Sequence, residues 1–233
     1  MAMTCGKKGE ISMQYRLGRV SQLTLSLVLL IVVLSSAGCI GLTANLIKAW
    51  SGMVVDAEFD QLIDKRVAVV CLSDTASFGP GPIGDELAVE VAYLLKTNID
   101  GIDVVHQQEI DDWKDENDWD QIDFREIGRG VEADMAIAIN LHALSLRDGA
   151  TMFRGQSEAE VVVYDMEADG ESVFRRTFTR LTYPVNGIVT TTDMNDRQFR
   201  RVYVDFIARE IAKVFYAYDV TEDFAKDPAA ITW

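Results

Sequence analysis

The sequence predicts a mixed α/β domain, in which a single layer of mixed β-sheet is packed by helices and a long amphipathic helix stands near the C-terminus. Two patterns support this fold class. Short apolar runs such as residues 67–72 alternate with stretches where apolar residues recur at helical spacing, as in residues 87–95. From residue 152 onward, long alternating segments joined by a turn at residues 168–170 are typical of antiparallel strands.

The first half of the domain is predicted to alternate strands with helices. Residues 67–72 are uniformly apolar, which predicts a strand covered on both faces. The next segment begins with acidic residues and carries an apolar stripe, which predicts a helix. In order, the predicted elements are this strand, a helix from Asp85 through Leu87, Val91, Leu94 and Leu95, a strand at 102–105, a short helix at Ile110 and Trp113, a helix at 124–131 and a strand at 134–141.

The second half is predicted to form a hairpin and then a helix. Strands at 156–165 and 172–183 flank the turn, and in the first of them small apolar residues alternate with glutamates, which predicts one buried and one wet face. These residues are Ala159, Val161 and Val163 against Glu158 and Glu160. The helix starts near Asp196, and its predicted apolar stripe contains Phe199, Val202, Phe206, Ile207, Ile211, Val214, Phe215 and Tyr218.

The first forty residues have the layout of an export signal. Four basic residues, Lys7, Lys8, Arg16 and Arg19, precede the uncharged run 23–34, and small residues then lead to a cysteine. This order places the rest of the chain outside the cytoplasm.

The tetrapeptide Ser36-Ala37-Gly38-Cys39 resembles the lipobox of bacterial lipoproteins, in which the cysteine is diacylated and becomes the first mature residue. The usual leucine stands two places early, at Leu34, and Ser36 occupies its position. The resemblance implies that Cys39 carries lipid, palmitate among it, and that two or three acyl chains anchor the protein lastingly. The alternative is an uncleaved anchor over residues 23–42, which has about the 20 residues that a spanning helix needs.

On the lipoprotein interpretation the chain divides into four parts. We expect a signal peptide at 1–38, the lipidated Cys39 with a tether to residue 64, a mixed α/β envelope domain at 65–220 and a polar tail at 221–233. The domain would face the periplasm. The outer membrane is the favoured site, because Ile40 is not the aspartate that retains some lipoproteins at the inner membrane.

The charge argues against nucleic acid as a partner. The formal net charge is −15, and removal of residues 1–38 takes away four basic residues and one acidic residue, which gives −18. Phosphate binding requires a basic surface, so this composition is opposed to it. About 195 residues remain, enough for one domain with a real core.

The sequence predicts no catalytic, cofactor or metal site. Gly79-Pro-Gly-Pro-Ile-Gly84 matches a dinucleotide-binding fingerprint, but Pro80 and Pro82 remove two backbone donors that a pyrophosphate would need, so a loop leading into a helix is favoured. Cys71 lies in an apolar run and is predicted to behave as a small buried hydrophobe. His142, on an apolar strand, is predicted to be a core histidine.

An acidic segment could suggest calcium but lacks the pattern of a calcium loop. The required glycine at the sixth position is missing, since no glycine occurs between Gly101 and Gly128. A solvated acidic loop is therefore predicted. Its acidic residues are Glu109, Asp111, Asp112, Asp115, Glu116, Asp118, Asp120 and Asp123.

Six arginines are concentrated late in this acidic chain. They could form a docking surface for an anionic partner. The favoured alternative is that they pair with Glu158, Glu160 and Asp165. The arginines are Arg175, Arg176 and Arg180 on one strand and Arg197, Arg200 and Arg201 at the start of the last helix.

Residues 65–183 resemble the envelope domain shared by the amino-terminal part of TolB, the curli secretion protein CsgG and the penicillin-binding-protein activator LpoB. The resemblance rests on a helix that ends in a glycine-containing turn and leads through Ala133-Asp134 into a strand. Gly128 and Gly130 would allow close approach of the backbone or would stop the helix. Asp134 would cap the chain or form a turn before the strand. The small Ala136 and Ala138 would let a helix lie close to the sheet.

This resemblance implies a non-catalytic, lipid-anchored accessory protein that acts by binding another envelope protein or a cell-wall polymer. Two alternatives remain open. One is an exported hydrolase that attacks cell-wall material through a carboxylate pair. The other is a self-assembling, secretion-associated subunit, for which a homo-oligomer is expected.

Overall fold

The computed structural model describes residues 54–73, 83–117 and 123–220. The predicted signal peptide, Cys39 and the tail 221–233 lie outside these ranges. The strands are β1 (Val54–Val55), β2 (Arg66–Ser73), β3 (Asp103–Val104), β4 (Met135–Arg147), β5 (Met152–Asp165), β6 (Glu171–Tyr183), β7 (Val189–Thr190) and β8 (Tyr218–Asp219). The helices are α1 (Ile83–Asn98), α2 (Gln107–Glu116), α3 (Phe124–Gly130) and α4 (Asp196–Ala212).

The main sheet is mixed and has the order β3-β2-β4-β5-β6, with β7 paired to the start of β5. β3, β2 and β4 are parallel, whereas β4, β5 and β6 are antiparallel. β1 and β8 form a separate two-stranded pair. The predicted fold class, a mixed α/β domain with one sheet layer packed by helices, is confirmed.

Strand β2 is covered on both faces, as its apolar run predicts. Val67, Val69 and Cys71 join the cluster that contains residues of α1 and α4. Ala68 and Val70 join the opposite cluster, with residues of α2 and α3. α1 also packs against α4. Helices therefore lie on both sides of the parallel part of the sheet.

The turn between α3 and β4 has the close packing that its small residues predict. A Cβ on Gly128 would lie 3.0 Å from the Cβ of Ala136, and one on Gly130 would overlap the ring of Trp113. The Asp134 carboxylate accepts the backbone N–H of Arg66 at 2.7 Å, and the Asp134 N–H donates to the Arg66 carbonyl at 2.7 Å. These contacts bind the starts of β2 and β4 together.

The hairpin β5–β6 has one covered face along most of β5, as predicted, but near the end of that strand Val162 is buried on the other face as well. Val161 and Val163 are fully buried, whereas Glu158 is exposed and Glu160 is half-buried. The turn that joins the strands places Asp169 and Gly170 at φ values of 58° and 77°. These left-handed conformations suit a glycine and an aspartate.

The last helix ends earlier than predicted and its buried stripe is shifted. α4 ends at Ala212, and Tyr218 lies in β8. Tyr203, which the predicted stripe omits, is fully buried, and its hydroxyl donates to the Leu181 carbonyl at 2.8 Å. Val202 is only half-buried, because the buried face of α4 follows positions four apart, from Phe199 through residues 203, 207 and 211, and position 202 lies beside that face. The helix is anchored by a capping box of Asn195 and Gln198.

The end of the predicted tether, residues 54–64, packs on the domain. Phe59 and Leu62 are buried in the main core, and β1 pairs with β8. The backbone N–H groups of Glu58 and Phe59 both donate to the Val214 carbonyl at 2.9 Å. The predicted boundary at residue 64 therefore lies too far along the chain. The sequence pattern does not reveal this packing, because two isolated apolar residues give little periodic signal.

Part of the predicted acidic loop is also helical. Residues 107–116 form α2, which buries Ile110 against the sheet. Asp123 caps α3 by accepting the Arg125 N–H at 3.0 Å. Of the helices in the described ranges, none is both long and apolar enough to cross a membrane.

Candidate binding groove

A groove opens where the parallel strands β2, β3 and β4 end. After β2 the chain continues to α1 on one face of the sheet, whereas after β3 it continues to α2 on the other face. Chains that leave neighbouring strand ends in opposite directions create a crevice outside the carboxyl edge of a sheet, and ligands bind there in α/β proteins. The connections of the strands alone therefore determine where the groove lies.

The α1–α4 groove, as we name it, has a volume of about 1530 Å³. Its walls come from the first half of α1, the start of α2, the end of β4 and the first half of α4. The lining residues are Asp85, Glu86, Val89, Glu90, Gln107, Asp111, Leu146, Arg147, Asn195, Asp196, Arg197, Gln198, Arg200, Arg201, Val204 and Asp205. Charged residues of both signs dominate this surface.

Two ion pairs hold the walls of the groove in place. The buried Arg200 guanidinium donates to Glu86 through Nη2 at 2.6 Å and Nε at 3.1 Å, which joins α4 to α1. Arg147 donates to Asp196 with Nη2–Oδ distances of 2.5 and 2.7 Å, which joins the end of β4 to the start of α4. Two-pronged pairs of this kind fix geometry as well as charge.

Two further arginines project from the same helix start without such partners. Arg197 and Arg201 are exposed and form no ion pair within the described residues. Exposed guanidinium groups can bind carboxylates or phosphates with two parallel hydrogen bonds. The α4 side of the groove therefore presents available positive charge.

The α1 side presents carboxyl groups whose pKa values are raised. Burial raises the pKa of Asp85, and the nearby Asp111 and Glu86 add to this while Lys114 opposes it. Burial also raises the pKa of Glu90, with Asp205 adding to the effect and Arg209 opposing it. Partial removal from water disfavours the charged form of both groups.

Gly84, the last glycine of the motif 79–84, is needed for the packing of α1 on β2. A Cβ at this position would lie 2.9 Å from the Cys71 carbonyl oxygen, so glycine lets α1 approach β2 closely. Residues 79–82 of the motif lie outside the described ranges. Cys71 itself is buried, and burial raises the pKa of its thiol to about 12, in agreement with the predicted hydrophobic role.

The histidines do not take part in the groove. His142 is exposed on β4 opposite Glu158, so the prediction of a core histidine is wrong. It lies beyond the part of β4 that α2 and α3 cover, where the strand's outer face is wet. His106 is exposed before α2. Over the described ranges, no three histidine, cysteine or acidic side chains are grouped to hold a metal ion.

The six arginines separate into two groups. Arg175 pairs with Glu160 at 2.5 Å, as predicted, and Arg176 approaches Glu58 at 3.6 Å. Asp165 instead accepts backbone N–H groups of the β5–β6 turn. Arg180 is exposed and has no ion pair among the described residues. The other three arginines lie in the groove, as described above.

Sequence reasoning did not identify this groove. It treated Asp85 and Glu86 only as a helix start, and it did not connect them with Arg147 or Arg200. The available signal was the acidic first turn of α1 together with the arginines in the first two turns of α4, because cations near a helix start oppose the helix dipole.

Comparisons of the fold give several solved structures to which this chain is similar in part. Lipoprotein GNA1162 from Neisseria meningitidis has a TM-score of 0.41 at 13% identity, with 64% of this chain and 98% of that chain covered. A PelC dodecamer from Paraburkholderia phytofirmans has a TM-score of 0.40 at 14% identity, covering 71% and 98%. The LpoB C-terminal domain from Salmonella enterica has a TM-score of 0.37 at 13% identity, covering 57% and 87%.

Bacterial lipoproteins are thus among the solved structures that this chain resembles. At these identities and TM-scores the similarities assign neither a family nor a function. No protein-family model and no curated protein matches the sequence. LpoB is one of the three proteins named in the sequence resemblance, and the resemblance to TolB and CsgG stays a prediction.

Proposed function

We propose that this chain is a lipid-anchored accessory protein of the bacterial cell envelope that acts by binding, without catalysis, another envelope protein or a cell-wall polymer. The observation that carries the proposal is the α1–α4 groove, with a volume of about 1530 Å³, at the carboxyl edge of the sheet. Its charged lining suits a partner with both acidic and basic or hydroxyl groups.

The groove combines a fixed apolar floor with available charge. Leu146 and Val204 are buried at 7% and 5% exposure, and Val89 remains 49% exposed beside them. Arg197 and Arg201 can pair with carboxylates of a partner, whereas Asp85 and Glu90 can accept hydrogen bonds. A few convergent polar groups around an apolar centre are typical of binding sites.

The anchor is proposed from the sequence. Cleavage after residue 38 and acylation of Cys39 would fix the chain to the periplasmic side of a membrane, preferably the outer one. Fourteen residues separate Cys39 from Val54, and such a segment spans at most ~50 Å when fully extended. The groove would then search for partners only near the membrane surface.

The anchor is tested by labelling cells with radioactive palmitate. We expect the wild-type chain to incorporate label and to remain with the membranes, and Cys39→Ser to lose both properties. Cys5→Ser is the matched control and should retain both, because residue 5 belongs to the proposed signal peptide. Label in Cys39→Ser, or an unprocessed amino terminus by mass spectrometry, would contradict the proposal.

The groove is tested by a photo-crosslinking residue at position 89 in living cells. We expect a discrete crosslinked product that is lost in Arg197→Glu/Arg201→Glu and retained in Lys96→Glu. Lys96 is an exposed cation on the last turn of α1, away from the groove lining. A product that survives the double charge reversal, or no product at all, would count against the groove as the binding site.

The raised pKa values of Asp85 and Glu90 favour a hydrolase as the second candidate. A carboxyl group whose pKa is raised by burial is better suited than an ordinary one to act as a general acid, and a second carboxylate could act as base or nucleophile. Incubation with cell-wall glycans and peptides distinguishes the candidates. Turnover that is abolished by Asp85→Asn and by Glu90→Gln would establish hydrolysis, whereas binding without turnover supports the accessory role.

A further inference from the structure

Most arginines of the described ranges form ion pairs, but two neighbours in the α1–α4 groove do not. Nine of the twelve arginines in these ranges are paired, and the three without an ion pair there are Arg180, Arg197 and Arg201. Acidic partners are abundant, because the chain has 37 acidic and 22 basic residues. Two unpaired arginines on one helix are therefore unusual in this protein.

These two arginines lower the stability of the helix on which they stand. Arg197 lies in the first turn of α4, where a cation opposes the helix dipole. Arg201 follows four residues later, and like charges at this spacing repel each other. Asp196 and Asp205, on the same helix, already pair with other arginines. Positions that break the local preferences of a helix in this way are expected at functional sites.

The α1 wall of the groove carries exposed apolar side chains. Val89 and Tyr93 are exposed by 49% and 61% and stand four apart on α1, so they share one face of the helix. Val89 lines the groove, and Tyr93 extends the same stripe by one turn. Glu90, also on this wall, is half-buried and has no ion pair within the described residues. The two walls therefore differ in chemistry.

Both walls are helices, which favours a helix as the occupant of the groove. The backbone groups along α1 and α4 bond within each helix, so the walls offer no free row of N–H and C=O groups to an extended chain. An extended segment buried there would leave its own backbone groups without partners, whereas a helix satisfies its own. Four residues of α4 rise by ~6 Å, which equals the rise between two residues four apart on a helix lying alongside.

We propose that the α1–α4 groove binds an amphipathic helix of a partner protein, and that this helix has two acidic residues four positions apart on one flank. Each carboxylate would form a two-pronged pair with Arg197 or Arg201. The side of the helix towards α1 would place apolar residues on Val89 and Tyr93 and a basic residue near Glu90. This choice of partner rests on the binding function proposed for the groove.

A second copy of the chain and a cell-wall glycan both fit the groove less well. A second copy offers α2, on which Asp112 and Glu116 are exposed and stand four apart. The apolar residues of α2, Ile110 and Trp113, pack inward, so they could not cover the exposed side chains of α1. A glycan presents mainly hydroxyl groups in place of an apolar face.

Three alanine-rich peptides test the occupant with the full chain in detergent. The first carries two glutamates four apart beside an apolar stripe. The second has the same composition and net charge, but its glutamates are two apart and lie on different faces. We expect the first to bind at least tenfold more tightly by fluorescence anisotropy. The third is the first with a central proline, which disrupts the helix, and it should bind no better than the second.

Substitutions of the two arginines locate the contact. Arg197→Ala/Arg201→Ala should abolish the preference for the first peptide and should raise the urea midpoint, because it removes a repulsion. A lower midpoint would assign these arginines a structural role and overturn the proposal. Arg180→Ala, which removes the third unpaired arginine, is the matched control and should leave the preference unchanged. Arg197→Lys/Arg201→Lys should keep part of the preference, since lysine retains the charge but not the planar fork.

The crosslinking experiment at position 89 separates this partner from the function of the groove. We expect the crosslinked product to be a protein whose attached segment has two acidic residues four apart. A glycan or a second copy of the chain in the product would overturn the helical partner and leave the groove as a binding site. Equal affinity for the three peptides, or no binding at millimolar concentration, would do the same if the charge-dependent product persists. Loss of both peptide binding and product would remove the proposed function as well.

Discussion

The parallel half of the sheet and its antiparallel half are covered very differently. Val67 to Val70 in β2 are exposed by 1% or less, with helices on both sides. In β6, most residues are exposed and even Phe174 and Phe178 are only half-buried. We infer that the parallel half supplies most of the stability, while its carboxyl edge supplies the surface for contact.

The largest expected effect contrasts one residue from each half. Ile137→Ala removes a fully buried side chain from β4 and should lower the free energy of unfolding by about 2–5 kcal/mol. Val173→Ala, at a residue 41% exposed in β6, should change it by no more than about 0.5 kcal/mol. Urea unfolding followed by circular dichroism measures both. Similar losses in the two variants would break the contrast.

The next effect tests how closely the parallel half is packed. Alanine favours a helix over glycine by about 1 kcal/mol, yet we expect Gly84→Ala to destabilise by about 1–3 kcal/mol because overpacking dominates. The added Cβ would lie 2.9 Å from the Cys71 carbonyl oxygen. Lys96→Ala on the same helix is the control, expected to be near neutral in the same unfolding experiment. A more stable Gly84→Ala protein would show that α1 can shift freely.

The two halves should also differ in the strength of their ion pairs, by a smaller free energy. A double-mutant cycle on Glu86→Ala and Arg200→Ala should give a coupling energy of about 1–2 kcal/mol, because Arg200 is buried. The same cycle on Glu58→Ala and Arg176→Ala should give less than about 0.5 kcal/mol, since both groups are exposed and 3.6 Å apart. Equal coupling in the two pairs would contradict the distinction between groove wall and hairpin surface.

The smallest effect concerns two aspartates with opposite shifts. Asp85 has a raised pKa because of burial, so its ionisation costs stability as pH rises from its unfolded value through its folded value. Asp123 has a lowered pKa because Arg125 hydrogen-bonds to it, so its contribution is present above the unfolded value and is lost as pH falls through the folded value.

Urea midpoints at pH 7 and pH 3 separate the two cases. Asp85→Asn should raise the midpoint at pH 7 relative to the wild type, and the difference should shrink at pH 3. Asp123→Asn keeps a capping side chain but should lower the midpoint at pH 7, with a smaller difference at pH 3. Shifts of the same sign at pH 7 would contradict the contrast.

Much of the fold could be predicted because burial leaves a local pattern. The apolar run of β2, the glycines of α3 and the alternation in β5 each reflect a contact with a nearby element. The phase of α4 was predicted less well, since several apolar residues on it are only half-buried. The folding of residues 54–64 was missed because Phe59 and Leu62 are isolated in sequence.

The groove could not be predicted in the same way. Its walls contain residues that are distant in sequence. Glu86, Asp111 and Arg147 come together because three parallel strands end at one edge, and Arg200 reaches Glu86 because α4 packs against α1. No spacing rule connects such residues. The position of the groove follows from the order of the strands and the faces to which α1 and α2 are connected.

The paired contacts between Asp134 and Arg66 fix the alignment of two strands that a symmetric apolar pattern alone would leave ambiguous. β2 is apolar at consecutive positions, so a slip by one residue would still bury hydrophobic side chains. It would, however, exchange small and branched residues between the faces of β2. Val67, Val69 and Cys71 would turn towards α2 and α3, where Ala68 and Val70 now lie. The Asp134 carboxylate thus selects one register for a strand whose apolar residues would tolerate another.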